Sequence, residues 1–105
     1  LIKIDVEGGE LDVLKGGLVV LQKHRPILCI ETLFTVNPSH KNRQLEMAEF
    51  LQANGYQLFH FQEGKELFRC AKMDGDPEYK NNDYLCFPSE KAGLYLSELR
   101  KKGLN

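Results

Sequence analysis

Leu1-Ile2-Lys3-Ile4-Asp5-Val6-Glu7-Gly8-Gly9-Glu10-Leu11-Asp12-Val13-Leu14 is the stretch that decides the fold. Ile2, Ile4 and Val6 alternate with Leu1, Lys3 and Asp5. That is the period-two pattern of a strand, and β-branched residues fill it. Glu7-Gly8-Gly9-Glu10 breaks the pattern as a turn, where two glycines permit positive φ and close backbone approach. Leu11, Leu14, Leu18 and Leu21 then recur at helical spacing. Glu10 and Asp12 lie in the first helical turn, and Lys23, His24 and Arg25 at the end, as the macrodipole favours. Gly16-Gly17 costs about 1 kcal/mol per glycine against alanine, so a kink or two short helices are expected there. Pro26 closes the segment.

Outward from this β-α unit, residues 27–32 read I-L-C-I-E-T, a nearly continuous apolar run that suits a strand covered on both faces. Residues 33–40 read as a loop carrying Asn37-Pro38-Ser39. A helix is expected over 42–54, with Leu45, Ala48 and Leu51 inward, Met47 and Phe50 on a wider face, and Gly55 as its C′ residue. Residues 56–61 alternate as a strand. Residues 62–82 are irregular and rich in turn signals (Glu63-Gly64, Asp74-Gly75, Asp76-Pro77, Asn81-Asn82), with room for a short strand at 67–70. Residues 84–87 form a last strand. Ser89 is the expected N-cap of a final helix with Ala92, Tyr95, Leu96 and Leu99 as its stripe. Strands alternating with helices predict an α/β sheet with parallel neighbours. Because no clear helix separates the last two strands, one of them is expected to run antiparallel in an edge hairpin.

The chain has 105 residues, which makes it a single α/β unit. Its 14 basic and 15 acidic residues nearly cancel, which argues against a simple electrostatic nucleic-acid binder. No apolar run approaches the roughly 18–20 residues of a membrane span. Cys29, Cys70 and Cys86 have neither CxxC nor zinc spacing, and read as structural thiols in a reducing compartment, hence a cytoplasmic expectation. The chain opens on a strand without a methionine, so it is expected to begin inside a longer protein.

Ligands of open α/β sheets sit at the carboxyl ends of strands. Asp5 and Glu7 lie at the first such end and Glu31 at the second. Carboxylates there can bind a ligand, hold a hard metal ion or act as a base. The plainer alternative is that Asp5 and Glu7 cap the next helix and Glu31 is merely solvated. Lys3, on a strand expected to be internal, suggests an ion pair with Asp5 or a carboxylate across the sheet. His24, His40 and His60 show no ligand spacing. His40, in the loop after the second strand, is a candidate for substrate contact.

Residues 2–16, I-K-I-D-V-E-G-G-E-L-D-V-L-K-G, resemble the FkbM family of S-adenosylmethionine-dependent methyltransferases, whose signature is K-I-D-V-E-G-x-E-x-x-V-L-x-G. Pro26, the strand ending at Glu31, the pair Gly55-Tyr56 and residues 84–88 are similar to later features of that family. The resemblance implies a partial Rossmann-like methyltransferase sheet, strands four to seven of the order 3-2-1-4-5-7-6, mostly parallel with one antiparallel strand and flanked by helices. The chain would then be the C-terminal half of such a domain and inactive alone. Asp5, Val6, Gly8 and Gly9 would contact the S-adenosylmethionine. Glu7 and Glu31 would be the catalytic carboxylates, and Glu10 and His40 would face a small-molecule acceptor, a hydroxyl of a sugar, lipid or secondary metabolite. A divalent metal is an analogy to other Rossmann-like O-methyltransferases. Two other readings compete. One is a non-catalytic binding module that holds a partner, or a second copy, through its strand-end rim or its exposed first strand. The other is a phosphate site at Gly8-Gly9.

Overall fold

The computed structural model describes residues 1–4, 10–33, 37–61, 67–73 and 81–101. In chain order the elements are β1 (Ile2–Ile4), α1 (Glu10–Gly16), α2 (Leu18–His24), β2 (Leu28–Leu33), α3 (Pro38–Ala53), β3 (Tyr56–Phe61), β4 (Phe68–Cys70), β5 (Asn81–Pro88) and α4 (Ala92–Lys101). The glycine pair divides the first helical segment in two, as its cost requires. Gly55 takes a φ of 78° after α3, the left-handed C′ position.

The described strands form one sheet in the order β1-β2-β5-β3-β4. β1 and β2 are parallel, with Ile2 opposite Leu28 and Ile4 opposite Ile30. The ladders β2–β5, β5–β3 and β3–β4 are antiparallel. This corrects the expectation of a mostly parallel sheet with its antiparallel strand in an edge hairpin. After the α3 crossover, β3 runs in the same direction as β2 but lands one strand-width away. β5 fills that gap running the other way, so both of its ladders are antiparallel. β4 folds back on the outer side of β3 and adds a third. β5 suits an interior place, since Tyr84, Cys86 and Phe87 are all buried and the two faces are both covered.

One sheet face carries Ile4, Leu28, Ile30, Tyr56, Leu58, Tyr84 and Cys86, packed against Leu14 and Leu21 of α1 and α2 and Met47, Ala48 and Leu51 of α3. The other face carries Phe59, Leu85 and Phe87 under Ala92, Tyr95, Leu96 and Leu99 of α4. There the Phe87 ring lies 5.6 Å from Phe59 and 5.5 Å from Tyr95. The Cys86 thiol is buried and its pKa is raised by desolvation. β1 borders the described sheet instead of lying inside it. Its Lys3 is solvent-exposed and makes no ion pair among the described residues.

Three element starts differ from expectation by two residues or more. α3 begins at Pro38, four residues early, because Asn37 is its N-cap: the side chain accepts from Ser39 N at 3.0 Å and His40 N at 3.4 Å, with Pro38 in the first turn. β5 begins at Asn81, because the turn-prone Asn81 and Asn82 pair with Leu33 and Thr32 of β2. α4 begins at Ala92, so Ser89 is not its N-cap.

Arg25 departs from expectation most usefully. It follows α2 with a φ of 48°, a left-handed conformation that costs a non-glycine residue roughly 1–2 kcal/mol. Its guanidinium caps the end of α3, not of α2. Nη1 donates to Asn54 O at 2.7 Å and Nη2 to Gly55 O at 2.9 Å. Nε and Nη2 also donate to Glu90 Oε2 and Oε1, at 2.8 and 3.0 Å. The group lies 4.8 Å from the centroid of the Tyr56 ring, whose hydroxyl donates to Pro26 O at 2.7 Å. One side chain thus ties together the exits of α2, α3 and β5.

The Arg25 hydrogen bonds hold the Glu90 pKa down at about 2, below the ordinary carboxylate value of 4.5. A carboxylate with a depressed folded pKa contributes stability above its unfolded pKa and loses it as pH falls toward the folded one. The contribution should therefore be complete above pH 4.5 and vanish by about pH 2. Melting curves of the protein and its Glu90→Gln variant should differ at neutral pH and converge across that window. A constant gap from pH 6 to pH 2 would remove the ion pair from the acid response.

Candidate functional site

β1, β2 and β3 run in one direction, so their carboxyl ends share one rim with the starts of β4 and β5. Open α/β sheets bind ligands on this side. The chain leaves the rim from β1 and re-enters as α1, and leaves it from β2 and re-enters as α3.

Asp5, Val6, Glu7, Gly8 and Gly9 fall at the end of β1 and lie outside the described residues. Glu10 opens α1, and its side chain also lies outside the description. His40 is exposed in the first turn of α3. Glu31 is half-buried in β2, and the strand's alternation places it on the face opposite Leu28 and Ile30.

Across the antiparallel ladder, Glu31 is in register with Asp83 of β5. Residues directly opposite in such a ladder have Cβ atoms about 4.5–5.5 Å apart, and like charges there repel. Cys29 shares that face, two residues before Glu31, and is in register with Lys3. Its thiol is pushed up by burial and further by Asp83 and Glu31, while Lys3 pulls it down. Burial and the neighbouring carboxylates thus disfavour its thiolate. Among the described residues, Glu31 and Asp83 are the carboxylates that face each other here. They can accept a proton or a hydrogen bond from a hydroxyl. Among the described residues no group of three or more His, Cys, Asp and Glu side chains could hold a metal ion.

On the other face of the same rim lies a buried polar group that the sequence reading did not assemble. His60 Nε2 is 2.9 Å from Asn82 Oδ1. The imidazole and the amide thus share one hydrogen bond. Thr32 Oγ1 donates to Asn82 O at 3.4 Å, and the His60 and Tyr84 rings sit 5.1 Å apart. Asn82 is fully buried and His60 nearly so. The group joins β2, β5 and β3 where their rim ends meet, so it fixes the relative height of Glu31 and Asp83 on the reverse face. His60 follows Tyr56 and Leu58 at period two, a signal that it faces a core and needs a partner. The partner sits in the stretch Asn81-Asn82, which reads as a turn.

None of the described helices is long and apolar enough to cross a membrane. No curated protein and no solved structure matches the chain. A family model described as the methyltransferase FkbM domain matches residues 1–58, a span that takes in β1, α1, α2, β2 and α3.

Proposed function

This chain belongs to the methyltransferase FkbM domain family, and from that premise we propose that it is the acceptor side of an S-adenosylmethionine-dependent O-methyltransferase. The observation that carries the reading is where the matched span lies: it contains the parallel strand pair of the described sheet and the residues that follow each of its strands. The sheet order supports it too. β1-β2-β5-β3 is the order four-five-seven-six of a Rossmann-like methyltransferase sheet, with β5 as the antiparallel seventh strand. On this reading β4 is an added edge strand, and the chain is the C-terminal half of the domain.

On this reading the cofactor lies beside the β1–α1 connection. Asp5, Val6, Gly8 and Gly9 join a strand to a helix at the carboxyl end of the parallel pair, where backbone can approach a ligand closely. S-adenosylmethionine, when bound, supplies an electrophilic methyl on a sulfonium. Methyl transfer needs an in-line approach, so the protein's contribution is mostly positioning. Glu31, with Glu7 at the neighbouring strand end, accepts the proton of the acceptor hydroxyl. Glu10 and His40 open the two helices over the rim and contact the acceptor, a hydroxyl of a sugar, lipid or secondary metabolite. The His60–Asn82 pair holds β3 and β5 so that Glu31 keeps its place.

A second reading has its own observation. β1 borders the described sheet, and Leu1 and Ile2 are exposed on it, Leu1 at 84%. Such an edge can pair with a strand of a partner or of a second copy.

The two readings separate in one experiment. The complete protein that contains this chain is incubated with methyl-labelled S-adenosylmethionine and a panel of hydroxylated acceptors, beside the 105-residue chain alone, and both are sedimented. Label transfer by the complete protein and none by the short chain is expected. Transfer by the short chain alone would overturn the half-domain reading. Absence of transfer from both, with a stable dimer in solution, would move the assignment to the binding module.

A further inference from the structure

Asn54-Gly55 joins α3 to β3. Asparagine followed by glycine is a chemically labile pair, because no side chain shields the glycine nitrogen. We propose that Asn54 is a latent deamidation site, held closed by the Arg25 guanidinium and exposed to reaction when that clasp opens.

In the reaction the Gly55 nitrogen gives up its proton and bonds to Asn54 Cγ. The Cγ–Nδ2 bond breaks, and Nδ2 leaves as ammonia with that proton. The cyclic imide then adds water, the one other reactant. Breaking its bond from the Gly55 nitrogen to Cγ leaves aspartate. Breaking the bond to the Asn54 backbone carbon leaves isoaspartate, with the chain running through Cγ.

The geometry opposes the first step. Asn54 has a ψ of 19°, which turns the Gly55 nitrogen away from Cγ. The Gly55 N–H donates to Gln52 O at 3.0 Å, and Asn54 Nδ2 donates to Phe50 O at 2.8 Å. Nucleophile and leaving group are thus both tied to the last turn of α3. The nitrogen reaches Cγ only if Asn54 rotates about its Cα–C bond. That rotation swings the Asn54 carbonyl off Arg25 Nη1, which holds it at 2.7 Å. The Gly55 carbonyl is held in turn by Arg25 Nη2 at 2.9 Å and by Ser89 N at 2.8 Å. Glu90 keeps the guanidinium aimed at both carbonyls. Reactive geometry therefore requires a local opening of the clasp.

The product does not close again. A carboxylate at position 54 cannot donate to Phe50 O, and it lies at the negative end of the α3 dipole. Isoaspartate also lengthens the backbone just before Tyr56, which is in register with Pro88. One modification loosens the joint of α3, β3 and β5 for good.

The test incubates the complete protein that contains this chain in mildly alkaline buffer at physiological temperature and samples it over days. Trypsin, cutting after Arg43 and Lys65, releases residues 44–65, a peptide whose one asparagine is Asn54. Chromatography separates its asparagine, aspartate and isoaspartate forms. Conversion in the parent should be about tenfold or more slower than in the free 44–65 peptide, because it waits for an opening. Arg25→Ala should speed it about tenfold or more, since two charge-assisted bonds no longer oppose that opening. Glu90→Gln keeps both carbonyl bonds, so its rate should fall between the two, and it serves alone if Arg25→Ala does not fold. Low urea should change the rates little, because opening the clasp exposes far less surface than unfolding does. Conversion in the parent as fast as in the free peptide, equal rates in parent and variants, or rates that follow the urea dependence of global unfolding would each overturn the proposal.

Discussion

Replacing Glu31, the proposed general base, with glutamine should cut the turnover of the proposed methyl transfer about 10²–10⁴-fold, the usual contribution of such a group. Affinity for S-adenosylmethionine should stay within about twofold, because the change touches a step made only in the transition state. Glutamine keeps the shape of glutamate and loses only the ability to take a proton. The loss cannot be blamed on unfolding. Glu31 is a half-buried strand residue in register with Asp83, and the exchange is nearly isosteric. The Glu31→Gln protein should therefore melt close to the temperature of its parent. Kinetics, cofactor titration and a melting curve together decide the matter. Unchanged turnover would take Glu31 out of the mechanism, and a drop in both turnover and cofactor affinity would make it a binding residue.

The largest stability effect is expected at Arg25. Arg25→Ala removes two charge-assisted bonds to the carbonyls of Asn54 and Gly55 and the packing over Tyr56, while leaving the left-handed backbone strained. With the part-buried carbonyl bonds at about 1 kcal/mol or somewhat more each, the loss should be about 2–3 kcal/mol. For a domain of this size that is a fall in Tm of about 10–20 °C. Arg25→Lys should recover only part, since an ammonium has three donors at one point where Arg25 makes four hydrogen bonds from a planar fork. Gly55→Ala offers an internal control. A Cβ there would sit 2.9 Å from Arg25 Nη2, on a backbone with φ of 78°. The first problem disappears in an Arg25→Ala background and the second does not. The double variant should therefore be more stable than the sum of the single changes predicts. Strict additivity, or a Tm loss of less than about 3 °C for Arg25→Ala, would reduce the cluster to an ordinary surface contact.

Much of the local structure was legible because it rests on short-range patterns. Alternation at 56–61 gave β3, the glycine pair at 16–17 divided the helix, and Gly55 marked the end of α3. The family resemblance of residues 2–16 was equally local and agrees with the matched span. The candidate site was legible only as a list. Glu31 could be placed at a strand end, and Asp83 could not be set against it, because register across 52 positions is not written in either segment. Asn82 looked like part of a turn and is a fully buried strand residue.

What the sequence by itself determined is the set of elements, the apolar faces they must bury and the family they belong to. These follow from periodicity, caps and a contiguous signature, each readable within about twenty residues. What only the tertiary structure decided is the placement of β5 between β2 and β3. That insertion turns a βαβ reading into a sheet with three antiparallel ladders. It brings Asp83 opposite Glu31 and Asn82 onto His60, and it carries Glu90 to Arg25. The reason is physical: a strand's neighbours are chosen by which arrangement covers both of its faces and pairs both of its edges, and that is a property of the whole chain.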